Sequence, residues 1–206
     1  MEAQLNDSNP WLSIWTSPRG TIRRIVDSDP KHHVIILAML AGFAIFLGYE
    51  SGGPNDSLQA ILIKCAILGP ISGIFNLYIW SALVRWTGSW FGGQASSIEV
   101  RAALAWSLVP KICALVLWVP KLALFGKTLL TGALHTSIFN LSGAYPALSG
   151  FTIVETVIGI WVFVIYLKCL GEVHRFSAWK ALGASILGWL IIFLPFIALF
   201  VALFLR

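Results

Sequence analysis

Four ionisable side chains fall inside long apolar runs of this sequence: Lys64, Lys111, Lys121 and Glu155. A charged residue at the bilayer centre costs about 2.5–3.5 kcal/mol on insertion scales, so each needs a compensating arrangement. Three are open. A lysine can pair with the carboxylate, it can line a polar cavity that takes a ligand, or its stem can carry the ammonium out to the interface. Lys111 lies nearest the middle of its run, where the third option serves it worst. Snorkelling suits Lys121 well and Lys64 in part. Glu155 is the only carboxylate well inside an apolar run and is the natural partner for Lys64 or Lys121.

Helical spacing extends these residues into faces. Ser107, Lys111, Ala114, Trp118 and Lys121 step by four and three and share one side of a helix. Cys65, Gly69, Gly73 and Asn76 do the same, with Ser72 beside them and Lys64 at the upper edge. Gly69 and Gly73 form a small-xxx-small element that lets another helix approach closely. The simplest arrangement packs these two faces together. A surplus of three lysines over one acid suits an anionic ligand such as a lipid headgroup. Lys111, Lys64, Lys121, Ser107 and Asn76 are therefore the candidate lipid- or ligand-binding residues. Glu155 is the candidate intramembrane ion-pair residue, and Gly69 and Gly73 are the candidate helix-packing residues.

Catalytic and metal chemistry is poorly supplied. Gly126-Lys127-Thr128 has the tail of a phosphate-binding loop, but Lys121 stands where that motif needs its first glycine. His32, His33, His135 and His174 lack the spacing of a zinc-binding helix, and no G-x-S-x-G nucleophile turn occurs. Cys65, Cys113 and Cys169 sit within apolar runs and read as small apolar filler rather than a disulfide framework. The expectation is a chain with no enzymatic activity, no metal and no cofactor. Asn140-Leu141-Ser142 fits the glycosylation sequon, which matters only in a secretory-pathway membrane.

The elements that must position these residues are membrane-spanning helices. Of the 206 residues, 58% are hydrophobic and 11% charged, against about 25% charged in a typical soluble domain. Mean hydropathy is +0.83. So few polar side chains cannot coat a water-soluble particle, and the apolar surface must face lipid. The apolar runs predict an all-α bundle with five spans, at about 33–49, 58–86, 102–125, 151–170 and 181–205. Pro70, Pro110, Pro120 and Pro195 predict kinks. The connector at 126–150 is too polar to span and lies on the surface or dips in.

Residues 1–32 read as a polar head with no cleavable signal peptide. Trp11 and Trp15 suit the headgroup level. A short helix opens at Pro18 with Thr16 or Ser17 as its cap, and Ile22, Ile25 and Val26 share one side of it. That side can rest on an anionic membrane face or dock on the bundle.

Arg19, Arg23, Arg24 and Lys31 lie in the head, Arg85 and Arg101 flank the second connector, and Arg175 and Lys180 lie in the fourth. The first connector has no Lys or Arg. The positive-inside rule then places the amino terminus in the cytoplasm and the carboxyl terminus outside. The net charge of +5 forms no stripe that could follow a phosphate backbone, so nucleic acid is not an expected partner.

With these segments in order, the sequence resembles the Yip1 domain family, and its bacterial members in particular. The resemblance is carried by Asn9-Pro10-Trp11 through Trp15 with Pro18-Arg19 and Thr21-Ile22-Arg23, by Gly92-Gly93, by Ala105-Trp106-Ser107-Leu108-Val109-Pro110, and by Ser177-Ala178-Trp179-Lys180-Ala181. It implies a helical bundle with a cytosolic amino terminus and the far end across the membrane. Eukaryotic relatives engage Rab GTPases in vesicle traffic, but this chain lacks their long cytosolic head and the Asp-Leu-Tyr-Gly-Pro motif in its second span.

The expected function is a non-enzymatic multi-pass protein of a bacterial cytoplasmic membrane. It would organise membrane or lipid, anionic lipid included, or bind another membrane protein or a second copy of itself. The alternative is a small-solute or ion transporter or channel that uses the polar face around Lys111.

Overall fold

The computed structural model describes residues 9–48, 56–130 and 144–204. Most of the predicted turn at 50–57, the middle of the 126–150 connector and the sequon at Asn140 lie outside the described residues. Helices α1 (Pro10–Thr16), α2 (Pro18–Ser28), α3 (Val34–Gly48), α4 (Leu58–Trp90) and α5 (Ser97–Ser107) are followed by α6 (Val109–Cys113), α7 (Trp118–Phe125), α8 (Ala144–Val173) and α9 (Ala178–Phe204). Tight 3₁₀ turns occupy Ala114–Leu117 and Gly126–Leu129. No strand occurs among the described residues.

Local chemistry sets several boundaries. The Asn9 side chain accepts from the Trp11 N–H at 3.0 Å and opens α1, with Pro10 at the first position, where its missing N–H costs nothing. Ser17 precedes Pro18 at the start of α2 but makes no side-chain capping bond. A capping box starts α5: the Glu99 N–H donates to Ser96 Oγ at 3.3 Å, and the Ser96 N–H to Glu99 Oε2 at 2.6 Å. That box begins the third helical stretch at Ser97, earlier than its apolar run predicts.

Among the described residues, four helical stretches are long and apolar enough to cross a membrane: Leu58–Trp90, Ser97–Phe125, Leu148–Val173 and Ala178–Pro195. Val34–Gly48 is equally apolar, but its 15 residues extend only about 22 Å, short of the ~30 Å hydrocarbon core. The stretch Ser97–Phe125 is segmented. Pro110 cannot donate to the preceding turn, so α5 ends at Ser107, and the Leu108 N–H turns back to the Ala105 carbonyl at 3.2 Å. Pro70 and Pro195, by contrast, sit inside continuous helices.

Two packing relations order the bundle. The first corrects the expected pairing of the second and third spans through Gly69 and Gly73. Those glycines meet α3 instead. A Cβ at Gly73 would lie 2.8 Å from the Gly42 Cα, one at Gly69 2.7 Å from the Phe43 Cα, and one at Gly42 2.6 Å from the Gly73 Cα. Gly42 supplies the reciprocal gap, and the two backbones touch. The third span meets this pair farther along, where Trp118 shares a buried cluster with Leu47, Ile61, Cys65 and Leu130.

The second relation is the docking of the head. Ile14, Ile22 and Ile25 are buried in the main core, and α2 packs against α5 and α8. Trp11 meets Trp106 edge-on at 5.9 Å. Trp106 is fully buried, and its indole N–H donates to the His32 carbonyl at 3.3 Å.

Candidate functional site

The three lysines of the apolar runs separate into three environments. On α7, Lys121 has a side chain only 7% exposed, and its ammonium donates to Glu155 Oε1 on α8 at 2.9 Å while standing 4.4 Å from the Trp118 ring centre. Lys64, near the start of α4, lies 3.5 Å from Asp56, and both side chains are exposed. Lys111 is half-buried in α6 and has no ion pair or hydrogen bond among the described residues.

A different set of residues converges. A cavity of about 820 Å³ lies between α3, α4, α5, α8 and α9, with Ala41, Asn76, Leu104, Gly159 and Ile186 among its walls. Among the sequence candidates it gathers Asn76, Ser107 and Gly73, with Ser72 beside them. No Lys, Arg, Asp, Glu or His lines it. Its hydroxyls are committed: Ser72 donates to the Gly69 carbonyl at 2.8 Å and Ser107 to that of Leu104 at 2.7 Å. Tyr166 Oη and Ser185 Oγ are 2.6 Å apart, and Ser185 in turn donates to the Ala181 carbonyl at 2.8 Å. The Asn76 carboxamide makes no hydrogen bond among the described residues.

The volume is within the ~300–1,000 Å³ of ordinary ligand pockets. The space is open on one side, where Ser72, Asn76, Ile186 and Trp189 are exposed.

A third cluster, not anticipated from the sequence, lies at the end of the bundle that carries the head. Arg23 donates to Glu172 Oε1 from Nε at 3.0 Å and from Nη2 at 2.5 Å, and the carboxylate raises the guanidinium pKa. Next to it, His174 is 1% exposed, stacked on Phe176 at 4.9 Å, with neither ring nitrogen hydrogen-bonded among the described residues.

The imidazole occupies space that side chains at Gly88 and Gly93 would need. A Cβ on Gly88 would lie 2.7 Å from His174 Cε1, and one on Gly93 2.9 Å from Cγ. Burial lowers the His174 pKa to about 4, with Arg85 acting in the same direction and Glu99 opposing. The available sequence signal was the glycine pair at 92–93. It announces a tight elbow but does not name the ring that the elbow accommodates. The described residues contain no group of three or more His, Cys, Asp or Glu placed to hold a metal.

Large apolar side chains such as Phe75, Val119 and Ile153 face outward, and the long helices bury polar contacts between them. These features define a multi-pass helical membrane protein. The family profile of the Yip1 domain matches residues 12–200, and the chain belongs to the Yip1 domain family. It matches no curated protein and no solved structure.

Proposed function

We propose that this Yip1 domain protein is a non-enzymatic component of a bacterial cytoplasmic membrane that organises its surroundings by holding a lipid inside its bundle. The carrying observation is the 820 Å³ cavity between five helices, lined mainly by apolar side chains. No carboxylate, imidazole, amine or thiol lines it.

The topology proposed with this reading has five crossings. α3 runs antiparallel to α4 from the level of Ala38 and Gly73 to that of Leu47 and Ile61, so it carries the chain from the head end toward the start of α4. A thinned bilayer accommodates its shortness. The Arg23–Glu172 pair and the bond from the Gln94 N–H to the His174 carbonyl, 3.4 Å, gather the head, the α4–α5 elbow and the α8–α9 turn at one end. Those segments carry Arg23, Arg85, Arg101, Arg175 and Lys180, which favours the cytoplasm for that end and the outside for the carboxyl terminus.

The test is native mass spectrometry of the chain extracted in mild detergent. Wild type is expected to retain about one lipid per chain. Gly159→Phe is expected to lose it, since a Cβ at Gly159, on the cavity wall, meets nothing within 4 Å. A wild-type chain free of lipid would overturn the reading.

A second reading, passage of a small solute or ion along the third span, draws on the break at Pro110 and on the half-buried Lys111. Substrate-dependent uptake into proteoliposomes that disappears in Lys111→Ala would put it first.

A further inference from the structure

We infer that the outer corner between α4 and α5, at the head end of the bundle, binds the phosphate of an anionic phospholipid. Arg101 is its principal partner, Arg85 its second, and Tyr78 the residue that positions Arg101. None of the three lines the cavity, so this site stands or falls separately from the lipid-holding reading.

One wall is a face of α4. Ile71, Phe75, Tyr78, Ala82 and Arg85 step by four and three and are all exposed. Ala82 is short and leaves room between the tyrosine and Arg85. The other wall is the first turn of α5, where Arg101 is half-buried. Its Nε donates to the Ser97 carbonyl at 3.0 Å, and its guanidinium carbon stands 4.8 Å from the centre of the Tyr78 ring. Carbonyl and ring together hold the guanidinium in place. The N–H groups on its two terminal nitrogens have no acceptor among the described residues, and the Tyr78 hydroxyl has no partner there.

Countercharge is missing. Among the described residues the ion pairs join Arg23 to Glu172, Lys64 to Asp56 and Lys121 to Glu155, and none includes Arg85 or Arg101. Glu99 lies across α5 from Arg101, and its Oε2 takes the Ser96 N–H. A fixed guanidinium with its outer edge unspent is matched by two oxygens of a phosphate.

Height in the bundle names the source of that phosphate. Ala38 of α3 faces Gly73 of the antiparallel α4, so α3, which starts at Val34, enters the apolar layer near the level of Tyr78. Farther along α4, Trp86 and Trp90 are exposed in the manner of an interfacial belt. The lipid phosphates of that leaflet lie at this height, and Ile71 and Phe75 give the tails an apolar track below it. Two arginines without an acid favour a headgroup of net negative charge, because the cation of a zwitterionic headgroup would meet the second arginine.

The experiment uses the full chain in detergent, with tail-matched phosphatidylglycerol and phosphatidylcholine read by native mass spectrometry. Wild type is expected to bind phosphatidylglycerol about ten-fold more tightly. Arg101→Gln is expected to remove most of that preference and Arg85→Gln part of it. Arg101→Lys keeps the charge but not the fork, and is expected to restore it only in part. Tyr78→Phe keeps the ring and should stay close to wild type, whereas Tyr78→Leu should behave like Arg101→Gln. Lys180→Gln, an exposed cation at the same end, is the control and should leave the preference unchanged. Glycerol phosphate, the same chemistry without tails, should not displace the lipid at equal concentration.

Equal binding of the two lipids by wild type overturns the inference. So does a loss in Lys180→Gln as large as that in Arg101→Gln, which marks diffuse surface charge. Displacement by glycerol phosphate overturns the assignment to lipid. The preference should persist in Gly159→Phe, which fills the cavity; its disappearance there would move the discrimination to the cavity and sink this site alone.

Discussion

Arg23 and Glu172 meet across 149 positions of sequence, with two guanidinium nitrogens on one carboxylate oxygen. The contact fastens the docked head to the last turn of α8. It is partly exposed, so its energetic share is modest even though its geometric role is clear.

A double-mutant cycle on Arg23→Ala and Glu172→Ala is expected to give a coupling below about 1 kcal/mol in thermal unfolding. The coupling should shrink as salt is raised, because screening reaches partly exposed pairs. Limited proteolysis near residue 30 should accelerate in either variant, since the head then loses its ion pair to α8 and keeps only its packing and the Trp106–His32 hydrogen bond.

The Lys121–Glu155 pair is expected to behave in the opposite way. Removing one partner, in Lys121→Met or Glu155→Leu, strands the other within the spans and should cost toward the lower end of ~3–5 kcal/mol. The double variant should recover most of that loss, because two apolar side chains leave no charge to desolvate. Detergent unfolding of the three proteins reads both effects.

The contact of α3 with α4 predicts a steep steric response. Gly73→Ala and Gly42→Ala each place a methyl group against facing backbone, which cannot rotate aside as a side chain would. A loss of about 1–3 kcal/mol is expected for each. Gly159→Ala, which meets nothing within 4 Å, is the matched control and should stay near wild type.

His174 predicts a pH dependence with a defined sign. Its folded-state pKa, about 4, lies below the ~6.5 of a free imidazole. The unfolded chain therefore takes up the proton first as pH drops. The stability contributed by the neutral buried ring is intact above about pH 6.5, and is lost as pH falls from there through about 4. The total is on the order of 3 kcal/mol. Unfolding temperatures measured across that window should fall in wild type and flatten in His174→Leu.

The sequence disclosed the long helices because each is a run of apolar side chains whose length alone fits a bilayer. Asn76 and Ser107 stood out because helical spacing puts a polar residue on a shared face whatever that face meets, and both line the cavity. It misassigned the partner of Gly69 and Gly73 for a physical reason. A small-xxx-small pattern fixes how near another helix can come but leaves open which helix arrives, and Gly42 looked like any other residue of an apolar run. The head posed the same problem: Ile22 and Ile25 suit lipid or protein equally well, and only the packing of α2 on α5 and α8 decides. Glu172 and His174 were least legible, because their surroundings are assembled from segments distant in the chain.

The contrast between the glycine-locked pair and the segmented third span has a mechanical consequence. α3 and α4, touching backbone to backbone, form a stiff rail. The chain from Ser97 to Phe125 instead has a joint at Pro110, with Trp106 clamped on one side and Lys121 tethered to α8 on the other. A sideways push on the far half is taken up as rotation at that joint, leaving the half beneath the head at rest.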